Sequence, residues 1–217
     1  LTNWSQNKNT LLKMQIINIE QGTPEWFALR IKYPLTASNA YPISVGGKGL
    51  ETLVWEKLAE KYSLEDKEKY TNKDLERGKE LEPLAREMYE LETGNKVEQI
   101  GFVINEEISK VGGASPDGKI VNQKGGIEIK CFDDKKHFQM IVNGLEIEVQ
   151  YDWQTQMQML FMEWDFIDFV AYNPNFKERL LIKRVFADKE MQDKIIKGLE
   201  VGEKLLKEIE EKYNVLK

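Results

Sequence analysis

"SPDGKIVNQKGGIEIK", Ser115 to Lys130, is the stretch on which the reading of this chain turns. Its end alternates apolar and charged residues: Ile127, Glu128, Ile129, Lys130. Successive side chains of a strand point to opposite faces. Glu128 and Lys130 therefore share one face, and the two isoleucines share the other. The beginning reads as a turn, with Pro116 presetting the backbone and Gly118 suited to a positive φ. A second turn, Asn122 to Gly126, sends the chain back. Asp117 then stands beside Glu128 and Lys130 if the register puts it on their face. Taken singly, the turn is ordinary and the charges are a solvated strand face. Together they place two carboxylates within a few ångströms of each other, and such a pair repels and calls for a counterion. Hard oxygen ligands favour Mg²⁺ or Mn²⁺, with positions left for water and phosphate oxygens. A lysine beside such a cation can orient or deprotonate an attacking water, or balance charge on a phosphorane-like transition state. Asp, then Glu-x-Lys on the next strand, is a phosphodiester-cleaving arrangement.

Outward from this stretch, the chain alternates helical and extended patterns. Met14 opens a short strand, MQIINIEQG, after a polar, irregular extension over 1–13, and Met14 is the expected natural start. PEWFALR (24–30) reads as a first helical turn with an early proline. Thr36 or Ser38 is a candidate N-cap. SVGGKGL (44–50) reads as a flexible glycine loop without the spacing of a phosphate-binding loop. ETLVWEKLAEKYSL is an amphipathic helix. A charged linker, EDKEKYTNKD, precedes a helix from Asp74 to about Thr93, stopped by Gly94 and Asn95. KVEQIGFVI, VGGASPDGKIV and GGIEIKCF read as an antiparallel meander. HFQMIVNG is a short helix and VQYDWQTQMQMLFME a longer one. DFIDFVAYN and ERLLIKRVF are strands. The final helix, from about Asp188, carries Ile195, Ile196, Leu199, Leu205, Leu206 and Ile209 on one side. This order predicts an α/β (α+β) fold, a central mixed β-sheet flanked by helices, as one domain over 14–217.

Composition agrees. The 217 residues are 41% hydrophobic, enough for one sizeable core. A single cysteine, Cys131, excludes a disulfide framework and multi-cysteine zinc or iron–sulfur sites. A single histidine, His137, excludes a histidine-rich metal site. No apolar run approaches membrane-spanning length and no secretory leader pattern is visible, so a cytoplasmic protein without membrane contact is expected. The net charge of -6 does not favour a general nucleic-acid coat, but it leaves room for a local basic groove.

Asp117 with Glu128-x-Lys130 resembles the PD-(D/E)xK nuclease motif, and most closely its lambda-exonuclease and YqaJ-like viral recombinase branch. Further stretches agree in the family's order: EQGTPEWFALRIKYPLTAS (Glu20–Ser38), RGKELEPLARE (Arg77–Glu87) and YDWQTQMQM (Tyr151–Met159). The resemblance implies a restriction-endonuclease-like core. It implies that Asp117, Glu128 and the Ile129 carbonyl bind metal, with two Mg²⁺ ions and Mn²⁺ as a substitute. It places Glu82 just behind the metal ligands or on a metal-bound water. Lys130 would activate the nucleophilic water, and Gln154 would position Lys130 or that water. Arg30 and Ser38 would hold the phosphate at or next to the cut. The implied activity is Mg²⁺-dependent 5′-to-3′ exonuclease action on one strand of double-stranded DNA, releasing mononucleotides in phage-type recombination. Double-stranded DNA ends, a single-strand annealing protein and a homotrimer are the implied partners. An endonuclease or repair nuclease on the same core, and a DNA-binding scaffold that no longer cuts, are the competing readings.

Individual residues carry plainer expectations as well. Glu82 shares a helix stripe with Ala85 and Tyr89, unusual for an unpartnered carboxylate. Gln154 and Gln156 lie two apart and cannot share a helix face. One is expected to be catalytic, the other structural or DNA-facing, and Gln156 is assigned to substrate. Cys131 and Met157, Met159 and Met162 read as core. His137 reads as a surface residue, with a DNA-backbone contact as its alternative. Lys32, Lys48, Lys119, Lys124, Lys135 and Lys136 are the candidate phosphate contacts. The segment from Tyr41 to Tyr70 matches no family feature.

Overall fold

Strand β7 (Gly125–Cys131) is the axis of the molecule. The computed structural model describes residues 14–64 and 73–216. The polar extension over 1–13 and most of the charged linker after Leu64 lie outside the described residues. On one side β7 pairs antiparallel with β6 (Gly118–Ile120), on the other parallel with β8 (Phe166–Tyr172). With β3 (Val97–Glu98) and β9 (Leu180–Phe186) the sheet order is β3-β6-β7-β8-β9, among the described residues. Within this sheet only the β7–β8 pair is parallel, so it is the mixed sheet the sequence predicts. A parallel pair needs a crossover. Here it runs through α5 (Asp134–Val142) and α6 (Val149–Met162).

The alternation in β7 sorts its neighbours. Ile127 and Ile129 join Ala85, Tyr89, Ile120, Val170 and Tyr172 in an apolar cluster beneath α4 (Lys73–Thr93). Glu128 and Lys130 point the other way, toward α6. Cys131 packs at the edge of the isoleucine cluster, as its parity demands.

The larger core lies on the α6 side. Met157, Met159, Phe161 and Met162 pack there with residues of α2 (Ala40–Val45), α3 (Gly47–Tyr62) and α7 (Lys189–Val215). The stretch after Tyr41 thus contributes Ile43, Leu50, Leu53, Val54 and Leu58 to this core. The last helix lies on its own chain, burying Ile195, Leu199 and Leu206 against α2 and α3. Gly198 permits that approach, because a Cβ there would stand 2.0 Å from the Ile43 carbonyl oxygen.

Some expectations need correction. The meander is broken twice. β4 (Phe102–Ile104) leaves the main sheet to pair with β1 (Gln15–Ile17), and β5 (Gly112–Gly113) pairs parallel with β2 (Leu35–Thr36). At the first break Gly101 lies against the Ile17–Ile19 backbone, and at the second Pro116 has no N–H to continue a ladder. The glycine loop is mostly helix: α2 ends at Val45, positive φ at Gly46 and Gly47 turns the chain, and α3 begins at once. Gly118 is not at positive φ. It opens β6, and glycine suits it because a Cβ would meet Val97 Cγ1 at 2.3 Å. The short helix begins earlier than His137, at Asp134, because the Asp133 carboxylate accepts the Lys136 N–H.

Candidate active site

The β6–β7 register answers the question posed by the SPDG turn. Gly118 pairs with Ile127, so Asp117, one step further, stands opposite Glu128. Asp117 Oδ2 accepts the Ile129 N–H at 2.6 Å. A strand residue directs its N–H and C=O toward the same neighbour. Beyond the start of β6 that neighbour is missing, and the Ile129 carbonyl faces the edge where Asp117 lies.

Glu128 is only 1% exposed. Its Oε1 accepts from Lys130 Nζ and from Gln154 Nε2, each at 2.6 Å, and its Oε2 accepts from Gln158 Nε2 at 2.6 Å. Lys130 Nζ also lies 5.0 Å from the ring centre of Tyr151. Helix α6 delivers these groups because residues 151, 154 and 158 fall on one face. Burial, then the charges of Glu128 and Glu82, raise the Asp117 carboxyl well above the ordinary carboxylate range. Burial works against the Lys130 ammonium, but Glu128 and Asp117 outweigh it and hold Lys130 protonated above its usual value. Burial also pushes the Cys131 thiol up to about 12, with Glu82 and Asp117 adding to it.

Glu82 reaches this site through Arg86. The Arg86 guanidinium pairs with the Glu82 carboxylate and also donates to the Asp117 carbonyl at 3.4 Å. Around Asp117 the structure thus gathers three carboxylates and two side-chain cations. Among the described residues no three His, Cys, Asp or Glu side chains form a ready metal cage. The donor set nevertheless fits a divalent cation. Asp117 and Glu128 would offer hard carboxylate oxygens and the Ile129 carbonyl a third, and burial, with the neighbouring charges of Glu128 and Glu82, disfavours an ionised Asp117 that a cation would stabilise.

Arg30, on α1 (Pro24–Lys32), and Ser38 form a second group. Arg30 Nη2 donates to Ser38 Oγ at 3.0 Å, and its guanidinium lies 4.6 Å from the Trp26 ring centre. Ser38 Oγ is 3.1 Å from Thr36 Oγ1. Burial lowers the Arg30 pKa and the charge of Glu60 partly offsets this. Two contacts tie this group to the turn that carries Asp117. Trp26 Nε1 donates to Ser115 Oγ at 2.9 Å, and Gln21 Nε2 donates to the Pro116 carbonyl at 3.0 Å.

Two residues lie deeper than the sequence reading expects. Gln156 takes up the structural alternative rather than an open, DNA-facing position. It is 2% exposed, and its amide bridges the Phe186 carbonyl at 2.9 Å and the Asp188 N–H at 2.8 Å, fastening β9 to the start of α7. His137 is not on the surface. It is fully buried, with Nε2 2.8 Å from the Glu178 carbonyl and its ring 5.2 Å from that of Phe176. Sequence reasoning missed Gln158. Its signal was present: it lies four residues after Gln154 and so shares that residue's face.

The sequence model of the YqaJ-like viral recombinase domain matches residues 25–163. No curated protein matches the chain. An alkaline exonuclease from Laribacter hongkongensis superposes with a TM-score of 0.73 at 28% identity, over 90% of this chain and 100% of that one. Its complex with dAMP gives the same values. A phage-related exonuclease from Haemophilus somnus 129PT shares the fold, with a TM-score of 0.60 at 18% identity over 82% of this chain and 96% of that one.

Proposed function

Because the chain belongs to the YqaJ-like viral recombinase domain family, a family of nucleases with a PD-(D/E)xK core, we propose that it is a 5′-to-3′ exonuclease. It degrades one strand of duplex DNA from the end, with Mg²⁺ or Mn²⁺, to mononucleotides. The observation that carries this reading is the convergence of Asp117, Glu128 and Lys130 in one site, around a buried Glu128, through the β6–β7 register. A non-catalytic scaffold has no physical need for that costly cluster of charges.

Asp117, Glu128 and the Ile129 carbonyl would hold the metal. When bound there, it supplies Lewis-acid polarisation of the phosphate and lowers the pKa of water. The side chains do the rest. Lys130, charged and held by Glu128, orients a water and offsets charge gathering on the phosphate. Gln154 keeps Lys130 and Glu128 in register, since all three meet at Glu128 Oε1. Glu82, fixed by Arg86, adds an acceptor near Asp117. Arg30 and Ser38 grip the neighbouring phosphate, the guanidinium held against Trp26. The Laribacter hongkongensis enzyme binds dAMP, a deoxynucleoside monophosphate of the kind this chain would release. The resemblance adds a homotrimer and a single-strand annealing partner to the proposal.

The test is digestion of linear duplex DNA carrying one labelled 5′-phosphate, with Mg²⁺ or with EDTA. Early Mg²⁺-dependent release of labelled mononucleotide is expected. Internal fragments, or cutting of a closed circle, would replace the reading with an endonuclease. Intact DNA with Mg²⁺ and, in a parallel digestion, with Mn²⁺, together with retained DNA binding, would leave a scaffold.

A further inference from the structure

Glu128 is held asymmetrically. Its Oε1 takes its two hydrogen bonds from Lys130 and Gln154, both partly exposed on the open side of the site. Its Oε2 takes one bond from Gln158, which is fully buried in the middle of α6. The two donors on the open side can exchange their bond for water when substrate arrives. Gln158, at 0% exposure, is sealed from solvent. Its own Oε1 is buried and has no hydrogen-bond partner among the described residues. An orphaned acceptor costs stability, and an unbranched apolar side chain of the same length would fill the space without it. Packing therefore does not explain a glutamine here, whereas the bond to Glu128 does.

We propose that Gln158 is a positioning residue for the nuclease reaction, one that anchors Glu128 Oε2 from the closed side and so fixes which oxygen the carboxylate presents to the metal and to Lys130. The proposal rests on the nuclease reading above. It separates two roles that the helix face combines. Gln154 works at the changing side of the carboxylate, and Gln158 is the part that does not let go. Partners of this kind, one bond removed from the metal, typically alter metal affinity when lost.

The test is Mn²⁺ titration of the wild type, Gln158→Met and Gln158→Asn, followed by the paramagnetic resonance of the free ion. Melting in EDTA and kcat and KM on duplex DNA are measured alongside. Mn²⁺ affinity is expected to fall about tenfold or more in both variants. The fall in kcat should exceed any change in KM, and Gln158→Met should melt in EDTA no lower than Gln158→Asn. Unchanged Mn²⁺ affinity in either folded variant would overturn the assignment. A measurement on the wild type alone guards against variants that do not fold. The Gln158 side-chain amide protons should stay protected from exchange with and without Mg²⁺, and loss of protection on adding Mg²⁺ would equally overturn it. A wild type that neither binds metal nor cuts DNA would remove the nuclease reading itself. A wild type that does both, beside variants that bind metal equally well, would remove only the role of Gln158.

Discussion

Glu128 is a carboxylate almost without solvent, and burial of that kind is tolerated only with full pairing. Lys130 supplies its only direct cationic contact among the described hydrogen bonds. Lys130→Ala should therefore disturb chemistry far more than binding. Single-turnover cutting is expected to fall at least about 100-fold, the scale of a lost proton-handling or charge-balancing group. DNA affinity measured by anisotropy in EDTA should change little, and an equal loss of both would reduce Lys130 to a phosphate contact. Gln156→Leu is the contrasting case. It leaves the Phe186 carbonyl and the Asp188 N–H without their partner, at a cost of about 2 kcal/mol in chemical denaturation. Cutting per folded molecule should survive; a specific loss of DNA affinity would restore Gln156 to the substrate. The difference between these residues marks how far the site is legible in sequence. Strand parity is binary, so the alternation over 127–130 alone puts Glu128 and Lys130 together, and the turn brings Asp117 to them. Helix phase is not binary. Gln154, Gln156 and Gln158 all fit an amphipathic reading, and only the docking of α6 on the sheet decides which of them reach Glu128.

At the scale of elements, helices are more legible than sheet partners. Caps and stops such as Asp188, whose carboxylate accepts the Met191 N–H at 3.0 Å, are local chemistry. The pairing of β5 with β2 is not local, because it joins distant parts of the chain through two-residue strands too short to show a pattern. Close approach between helices is likewise silent in a hydropathy pattern. Gly198 and Gly202 lie on the buried stripe of α7, where glycine is otherwise a poor helix residue. Gly198→Ala would drive a Cβ into the backbone of α2, which cannot move aside as a flexible side chain would. Thermal melting should fall by the equivalent of about 1–3 kcal/mol. Gly78→Ala, in α4 with nothing within 4 Å of the added carbon, is the control. There the helix should gain up to about 1 kcal/mol. A neutral Gly198→Ala would mean that α2 and α7 are further apart than this packing requires.

At the scale of the whole molecule, the acidic balance and the proposed work on DNA are reconciled by where the negative charge sits. A net charge of -6 repels a polyanion in general, yet part of that charge is gathered around Asp117, where a divalent cation would reverse the local sign. The same gathering makes folding and metal binding interdependent. In the unfolded chain Asp117, Glu82 and Glu128 are far apart and solvated, so they bind a cation weakly. In the folded chain burial and mutual repulsion disfavour the charged Asp117 carboxylate, and a cation relieves that cost. A ligand that binds only the folded state at a hundred times its Kd stabilises it by about 2.7 kcal/mol. For a chain of this size that is a rise in Tm of roughly 5–10 °C. Mg²⁺ or Mn²⁺ should therefore raise the melting temperature, EDTA should abolish the rise, and Na⁺ at equal ionic strength should not reproduce it. Asp117→Ala should melt at the same temperature with and without Mg²⁺. A rise that persists in that variant would place the stabilising cation elsewhere on the molecule, and Asp117 would lose its assignment as a ligand.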